Sequence, residues 1–373
     1  MQIANEPIPD TTPGMMSSTR LAAMKQFAAA LAVGGAGAAL AFLLGLPAPF
    51  ITGPAILVTL AGLGGVAMAI PVAARDLAFV FIGLTMGTGV TPEVLDAAGR
   101  WPVSLGLLGL SVLAIILVCR FLLMRLFGQD GRTAVLSSAP GHLSYLLGMA
   151  DAGGLNVRMI AVVQSIRILI LTLSVPPLVI LLDRADMVHV AVRVPMSIFA
   201  LGTSVALALV TGFAFKRLRL PAAFLIAGMA ISTATHLSGS VAGHVPQWAA
   251  VPAFVMLGIL IGTRFSGVSL RELRQALSAG LLVTGVAIVI AVAAAFLAAR
   301  LTGLPLDMML IALAPGGVET MSAMAQLMHV DATFVTAHHV ARLFLLTFLV
   351  PFILGRQKDG GATAPLDRHD TAH

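Results

Sequence analysis

Ala314-Pro315-Gly316-Gly317-Val318-Glu319-Thr320-Met321 interrupts an apolar run with residues that a helix interior rejects and with a carboxylate that lipid rejects. The chain holds a second version, Ala139-Pro140-Gly141-His142-Leu143-Ser144. Ala139 to Pro176 aligns with Ala314 to Pro351 without a gap, at one offset of 175 residues (314 − 139 = 342 − 167 = 351 − 176). Pro suits the first turn of a helix and Gly frees the backbone, so each Pro-Gly pair ends one helical stretch and can begin another. In both copies an arginine, Arg167 or Arg342, follows well inside a hydrophobic stretch. A breaker and a charge are each costly in a membrane, and carrying both twice points to a site.

Composition fixes the class. Of 373 residues, 58% are hydrophobic and 10% charged, and the mean hydropathy is +1.00, which places the chain among all-α polytopic membrane proteins. The net charge of +6 sits in short loops between apolar runs and reads as membrane topology, not as nucleic-acid binding. The lone Cys119 excludes an internal disulfide and a cysteine-based metal site. Residues 1–19 and 356–373 are polar and read as disordered ends, flanking membrane repeats over 20–186 and 187–355. With no short cleavable h-region ahead of it, Leu21–Leu44 is expected to be an uncleaved transmembrane helix.

Six apolar segments can be read in each half. They run Leu21–Leu44, Phe50–Ile70, Leu77–Val90, Val103–Leu123, Thr133–Ala150 and Met159–Leu182, then Val194–Phe215, Ala222–Gly239, Ala249–Thr263, Leu277–Ala299, Met309–Met328 and Thr333–Leu354. Leu46-Pro47-Ala48 pairs with Leu220-Pro221-Ala222, and Gly83/Gly87 with Gly258/Gly262. If all twelve segments cross, the positive-inside rule fits poorly. If the two Ala-Pro-Gly segments enter and leave on one side, sixteen loop Lys/Arg fall inside and only Arg100, Arg184, Arg193 and Arg300 outside. Ten crossings and two re-entrant segments then make five crossings per half, an odd number, so the copies would be inverted repeats, the plan of many secondary transporters. The alternative, in which each Ala-Pro-Gly segment is a crossing helix broken midway, stays open on sequence.

The exposed N–H groups at Pro140-Gly141 and Pro315-Gly316-Gly317 would favour an anion, or the breaks could be packing kinks. Arg167 and Arg342 could bind a solute's charge or hold carbonyls freed by the break. Glu319 has Ser144 as its counterpart and could relay a proton, pair with Arg342 or cap its helix. Gln164 and His339 stand three residues before the arginines, on the same helix face. His338 lies about 100° around the helix from His339, so one metal ion cannot easily be shared. The Gly-x-x-x-Gly pairs read as close helix packing, and His236 as a structural histidine.

The run Ala314 to Met321, followed by His338, His339 and Arg342, resembles the AbrB-duplication family of bacterial inner-membrane proteins. The resemblance extends through Leu46 to Leu57 (LPAPFITGPAIL) and the Ala139 segment, where His142 and Ser144 depart from the Gly and Glu of the second copy. It implies a multi-pass inner-membrane protein; members often carry a label of ammonia monooxygenase, and one is linked by name to gene regulation. The residues favour a secondary transporter or permease for a small anionic or protonatable solute, working without a cofactor or nucleic acid. In that reading Pro140, Gly141, His142, Arg167, Pro315, Gly316, Gly317 and Arg342 bind the solute. Glu319, His338, His339 and Gln164 carry ion or proton coupling. A metal oxygenase built on His142, His338, His339 and Glu319 is the alternative, though scattered histidines give no ligand spacing; a membrane sensor is a third reading, for which the polar tails are short. The partners expected are the solute, the bilayer and a second copy of the chain, with both termini on the cytoplasmic side.

Overall fold

In the first half of the computed structural model, α1 (Pro13–Leu43), α2 (Pro49–Leu63), α3 (Val72–Gly87), α4 (Trp101–Phe127), α5 (Gly131–Ser138), α6 (Leu143–Ala152) and α7 (Val157–Leu182) follow one another. The second half supplies α8 (Ile198–Arg217), α9 (Ala223–Leu237), α10 (Gln247–Gly262), a 3-10 turn (Thr263–Phe265), α11 (Leu270–Thr302), α12 (Leu306–Leu313), α13 (Val318–Leu327) and α14 (Ala332–Leu354). The structure describes residues 13–88, 101–141, 143–182, 194–218, 220 and 222–355. The loop arginines Arg100, Arg184, Arg193 and Arg219, and the tail from 356 on, lie outside these. Helix α1 begins at Pro13, inside the stretch assigned to a disordered start.

Among the described residues, seven helices are long and apolar enough to cross a membrane, and α2 and α9 are shorter apolar helices of 15 residues. The protein is a multi-pass, all-α membrane protein. Lipid rewards large apolar side chains, so small ones mark the helix faces that meet protein. Helix α11 is the clearest case. Its buried positions are Ala276, Ala279, Gly280, Val283, Thr284, Ala287, Ala291, Ala295, Ala298 and Thr302, while Leu281, Val289 and Leu301 face outward. The same logic governs the Gly-x-x-x-Gly pairs. A Cβ at Gly83 would collide with the Leu225 carbonyl of α9, and one at Gly258 would lie 2.5 Å from the Ile51 carbonyl of α2. The third helix of each half thus packs on the second helix of the other.

Matching strain accompanies these contacts. Ala48 and Ala222, before α2 and α9, both adopt φ 50°, a left-handed conformation that costs an alanine about 1 kcal/mol.

Side-chain contacts fix which helix ends lie together. Arg158 at the start of α7 pairs with Glu272 at the start of α11 at 2.5 Å. Near the far end of α4, Cys119 Sγ lies 3.9 Å from the Val283 carbonyl of α11. The opposite end of α4 meets the start of α14: Trp101 stacks edge-on against Phe334, and Ser104 Oγ lies 2.8 Å from His338 Nε2. The α5–α6 pair therefore departs from and returns to one end of the bundle, the first end. The α12–α13 pair departs from and returns to the other, the second end. Each is a hairpin and not a crossing helix broken midway.

Candidate functional site

The Pro-Gly breaks share a local geometry set by the residue before proline, which proline's ring forces out of the helical region. Ala139 (φ −61°, ψ 124°) ends α5 and Ala314 (φ −56°, ψ 133°) ends α12. In both, the Gly amide donates to the alanine carbonyl, Gly141 to Ala139 at 2.9 Å and Gly316 to Ala314 at 2.8 Å.

Carbonyls at the end of a helix still need donors, and α7 and α14 supply them. Arg167 Nη1 donates to the Ala139 carbonyl at 3.0 Å, and Gln164 Nε2 to those of Leu136 (2.7 Å) and Ala139 (3.1 Å). Arg342 Nη1 donates to Ala314 at 2.8 Å and its Nη2 to Gly316, while His339 Nε2 donates to Ile311 at 3.0 Å. Both arginines are almost wholly buried, at 2% and 1% exposure. His338 is turned away. Its Nδ1 donates to the Phe334 carbonyl at 2.9 Å and its ring packs against Phe334 and Trp101, so it braces α14 on α4.

Gly141 from one break and Gly316 and Gly317 from the other line a single cavity of about 420 Å³. Glu319 and Arg342 line it too, whereas Arg167, Gln164, His338 and His339 do not. Of the four residues expected to carry proton coupling, only Glu319 reaches this space. Its carboxylate acts electrostatically on both Arg264 and Arg342 without an ion pair within 4.0 Å among the described residues. His142 lies outside the described residues, and Pro140 and Pro315 act through the backbone they redirect.

Four charged groups at the cavity, Arg75, Asp76, Lys216 and Arg264, are not legible as site residues in the sequence. Arg264 is read there as a loop charge, but the 3-10 turn after α10 folds its guanidinium back, leaving Nη1 buried without a hydrogen-bond partner. Asp76 looks like a residue ahead of Leu77–Val90. Helix α3 in fact starts at Val72, which leaves Asp76 only 8% exposed between Arg75 (2.7 Å) and Lys216 (3.3 Å) at the cavity mouth. A carboxylate between Arg75 and an apolar run was the available signal. Among the described residues no three His, Cys, Asp or Glu side chains could hold one metal ion.

A second cavity, of about 1060 Å³, is lined by Thr85, Thr88, His244, Trp248, Gln326 and His329. Helices α3 and α10 reach both spaces: Phe79 and Leu257 line the first, Thr85 and Ala250 the second. Between them the two helices are packed shut by Val80, Ile82, Leu84, Ala253 and Phe254.

The family described as "Transition state regulatory protein AbrB" matches residues 52–356. The chain belongs to the AbrB family. "Uncharacterized protein YhjN" of Bacillus subtilis (strain 168) is 28% identical to this AbrB-family chain over 289 residues, 73% of it and 75% of the relative. "Putative regulator AbrB" of Escherichia coli (strain K12) is 26% identical over 313 residues, 83% and 89% of the two chains. The match takes in both Ala-Pro-Gly segments and every cavity residue named above.

Proposed function

We propose that this AbrB-family protein is a secondary transporter that moves a small anionic or protonatable solute through the first cavity. The observation that carries the reading is the convergence of two breaks 175 residues apart (316 − 141) on one charged cavity. Irregular backbone at membrane depth is tolerated where it lines such a space. The second cavity on the far side of an apolar partition supports access from alternate ends. Inverted copies are supported by the hairpins, which return to opposite ends of the bundle, and by the exchange of partners between α2, α3, α9 and α10.

Among the described residues Arg132, Arg158, Lys216, Arg271 and Arg274 lie at or near the first end, which the positive-inside rule puts in the cytoplasm of an inner-membrane protein. In this reading Arg342 attracts the solute, Glu319 carries the coupled proton and Gly141, Gly316 and Gly317 offer open backbone. Arg167, Gln164 and His339 keep the hairpins in shape.

Proteoliposomes loaded with the purified chain should accumulate one member of a panel of organic acids, amines and ammonium against its gradient. Glu319→Gln should abolish accumulation while eluting as a folded protein. Failure to accumulate any of the panel in either imposed proton gradient overturns the proposal.

A further inference from the structure

We infer that the first cavity binds an organic monocarboxylate, with Arg264 as its principal anion-binding group; the physiological use of such a site rests on the transport reading, its existence does not. A guanidinium stays charged when buried and costs free energy unless its N–H groups find acceptors. Arg264 Nη1 is buried beside the cavity with no acceptor. Arg342 has committed Nη1 and Nη2 to the hairpin carbonyls and keeps a buried Nε without a partner. Arg264 lines the cavity with no ion pair within 4.0 Å and no partner for Nη1 among the described residues, so its planar fork can turn to take both oxygens of a carboxylate.

Charge narrows the class. The lining carries Arg75, Lys216, Arg264 and Arg342 against Asp76 and Glu319, a net charge of +2 (4 − 2). Asp76 pairs with both Arg75 and Lys216, whose side chains are 38% and 52% exposed, so water screens the surplus there and the charge left for a ligand is the one of Arg264 and Arg342 over Glu319. Much of the remaining wall is apolar, with Phe79, Leu257, Leu260, Ile261 and Leu343. An inorganic anion would leave that wall unused, and a second carboxylate would have to be buried against it unpaired. A volume of about 420 Å³ holds a small organic molecule. Together these select a monoanion with an apolar body.

Radiolabelled benzoate binding to the purified full chain in nanodiscs tests this, with butyrate, succinate, inorganic phosphate and ethylammonium as competitors. Saturable benzoate binding is expected, displaced by butyrate, with succinate and phosphate at least about tenfold weaker and ethylammonium inert. Arg264→Gln should weaken benzoate at least about tenfold, and Arg264→Lys, which keeps the charge but loses the planar fork, at least about threefold. If Arg264→Gln aggregates, Arg264→Lys decides alone. Absence of benzoate binding to the folded wild type, unchanged affinity in the Arg264 variants, or a preference for phosphate or succinate overturns the assignment. Benzoate binding in a protein that accumulates nothing in proteoliposomes would sink the transport reading and leave this site standing. Ethylammonium uptake without benzoate binding would do the reverse.

Discussion

Two arginines at membrane depth hold their hairpins by donating to carbonyls at the breaks, Arg167 to Ala139 and Arg342 to Ala314 and Gly316, while Gln164 and His339 serve Leu136 and Ile311, whose amide partner proline removes. Removing Arg342 leaves the buried Gly316 carbonyl without its arginine donor, while Ala314 keeps the Gly316 amide. Arg342→Met should therefore lower stability by about 1–3 kcal/mol, read as a drop in thermal midpoint in detergent, and should abolish uptake as well. His338→Phe is the contrasting case. His338 touches Ser104, Trp101 and Phe334 and not the cavity, so this variant should lose about 1 kcal/mol of stability and retain uptake. Loss of transport with the fold intact would give His338 a role the geometry denies it. At this scale the sequence displays costs and hides their settlement. Pro140, Pro315, Arg167, Arg342 and Glu319 stand out because each is expensive in an apolar run. Whether Arg167 and Arg342 face a solute or a carbonyl depends on where Ala139 and Ala314 come to lie, which spacing along the chain does not encode. Arg264 stayed hidden because a basic residue after a helix end looks like any loop charge until the turn that folds it inward is known.

Helices here are positioned by small residues and by caps. Because a side chain at Gly83 or Gly258 would meet a carbonyl of the neighbouring helix and not a flexible side chain, Gly83→Leu and Gly258→Leu should each cost at least about 1–3 kcal/mol. Gly106→Leu in α4, where a Cβ meets nothing within 4 Å, should be neutral. Thermal midpoints of the three variants check this. The start of α11 carries a capping box, with the Ser269 amide and hydroxyl donating to Glu272 at 2.9 and 2.8 Å. Glu272 also pairs with Arg158. Glu272→Ala, which removes both the cap and the pair, should lower the thermal midpoint, and Glu272→Gln, which keeps an acceptor for the Ser269 amide, should lower it less. Equal midpoints for the two variants would contradict the role of the cap. Element type was readable from apolar run length, and the repeat of Gly-x-x-x-Gly announced close packing. Element ends were less so: α3 begins five residues before Leu77 (77 − 72), and the runs from Thr133 and Met309 each divide in two, because capping and the residue before proline decide ends.

Across the whole molecule the loop charges and the packing contacts are independent lines of reasoning that meet in one topology. Positive-inside counting needs both Ala-Pro-Gly segments to enter and leave on one side. The pairing of Arg158 with Glu272 and of Trp101 with Phe334 has each hairpin return to the end from which it departs. Single cysteines on the two hairpin-to-helix connections decide whether those ends are opposite faces of a membrane. Gly154 is a poor probe position, since its φ of +64° strains any side chain. Asp151, exposed in the last turn of α6, and His329, exposed beyond α13 and already at φ 59°, serve better. In a background with Cys119→Ala, Asp151→Cys in intact cells should resist a membrane-impermeant maleimide and react once the membrane is opened. His329→Cys should react in intact cells. Equal labelling of both from outside, or of neither, would contradict the opposed hairpins and with them the proposed inverted architecture, whatever the cavity binds.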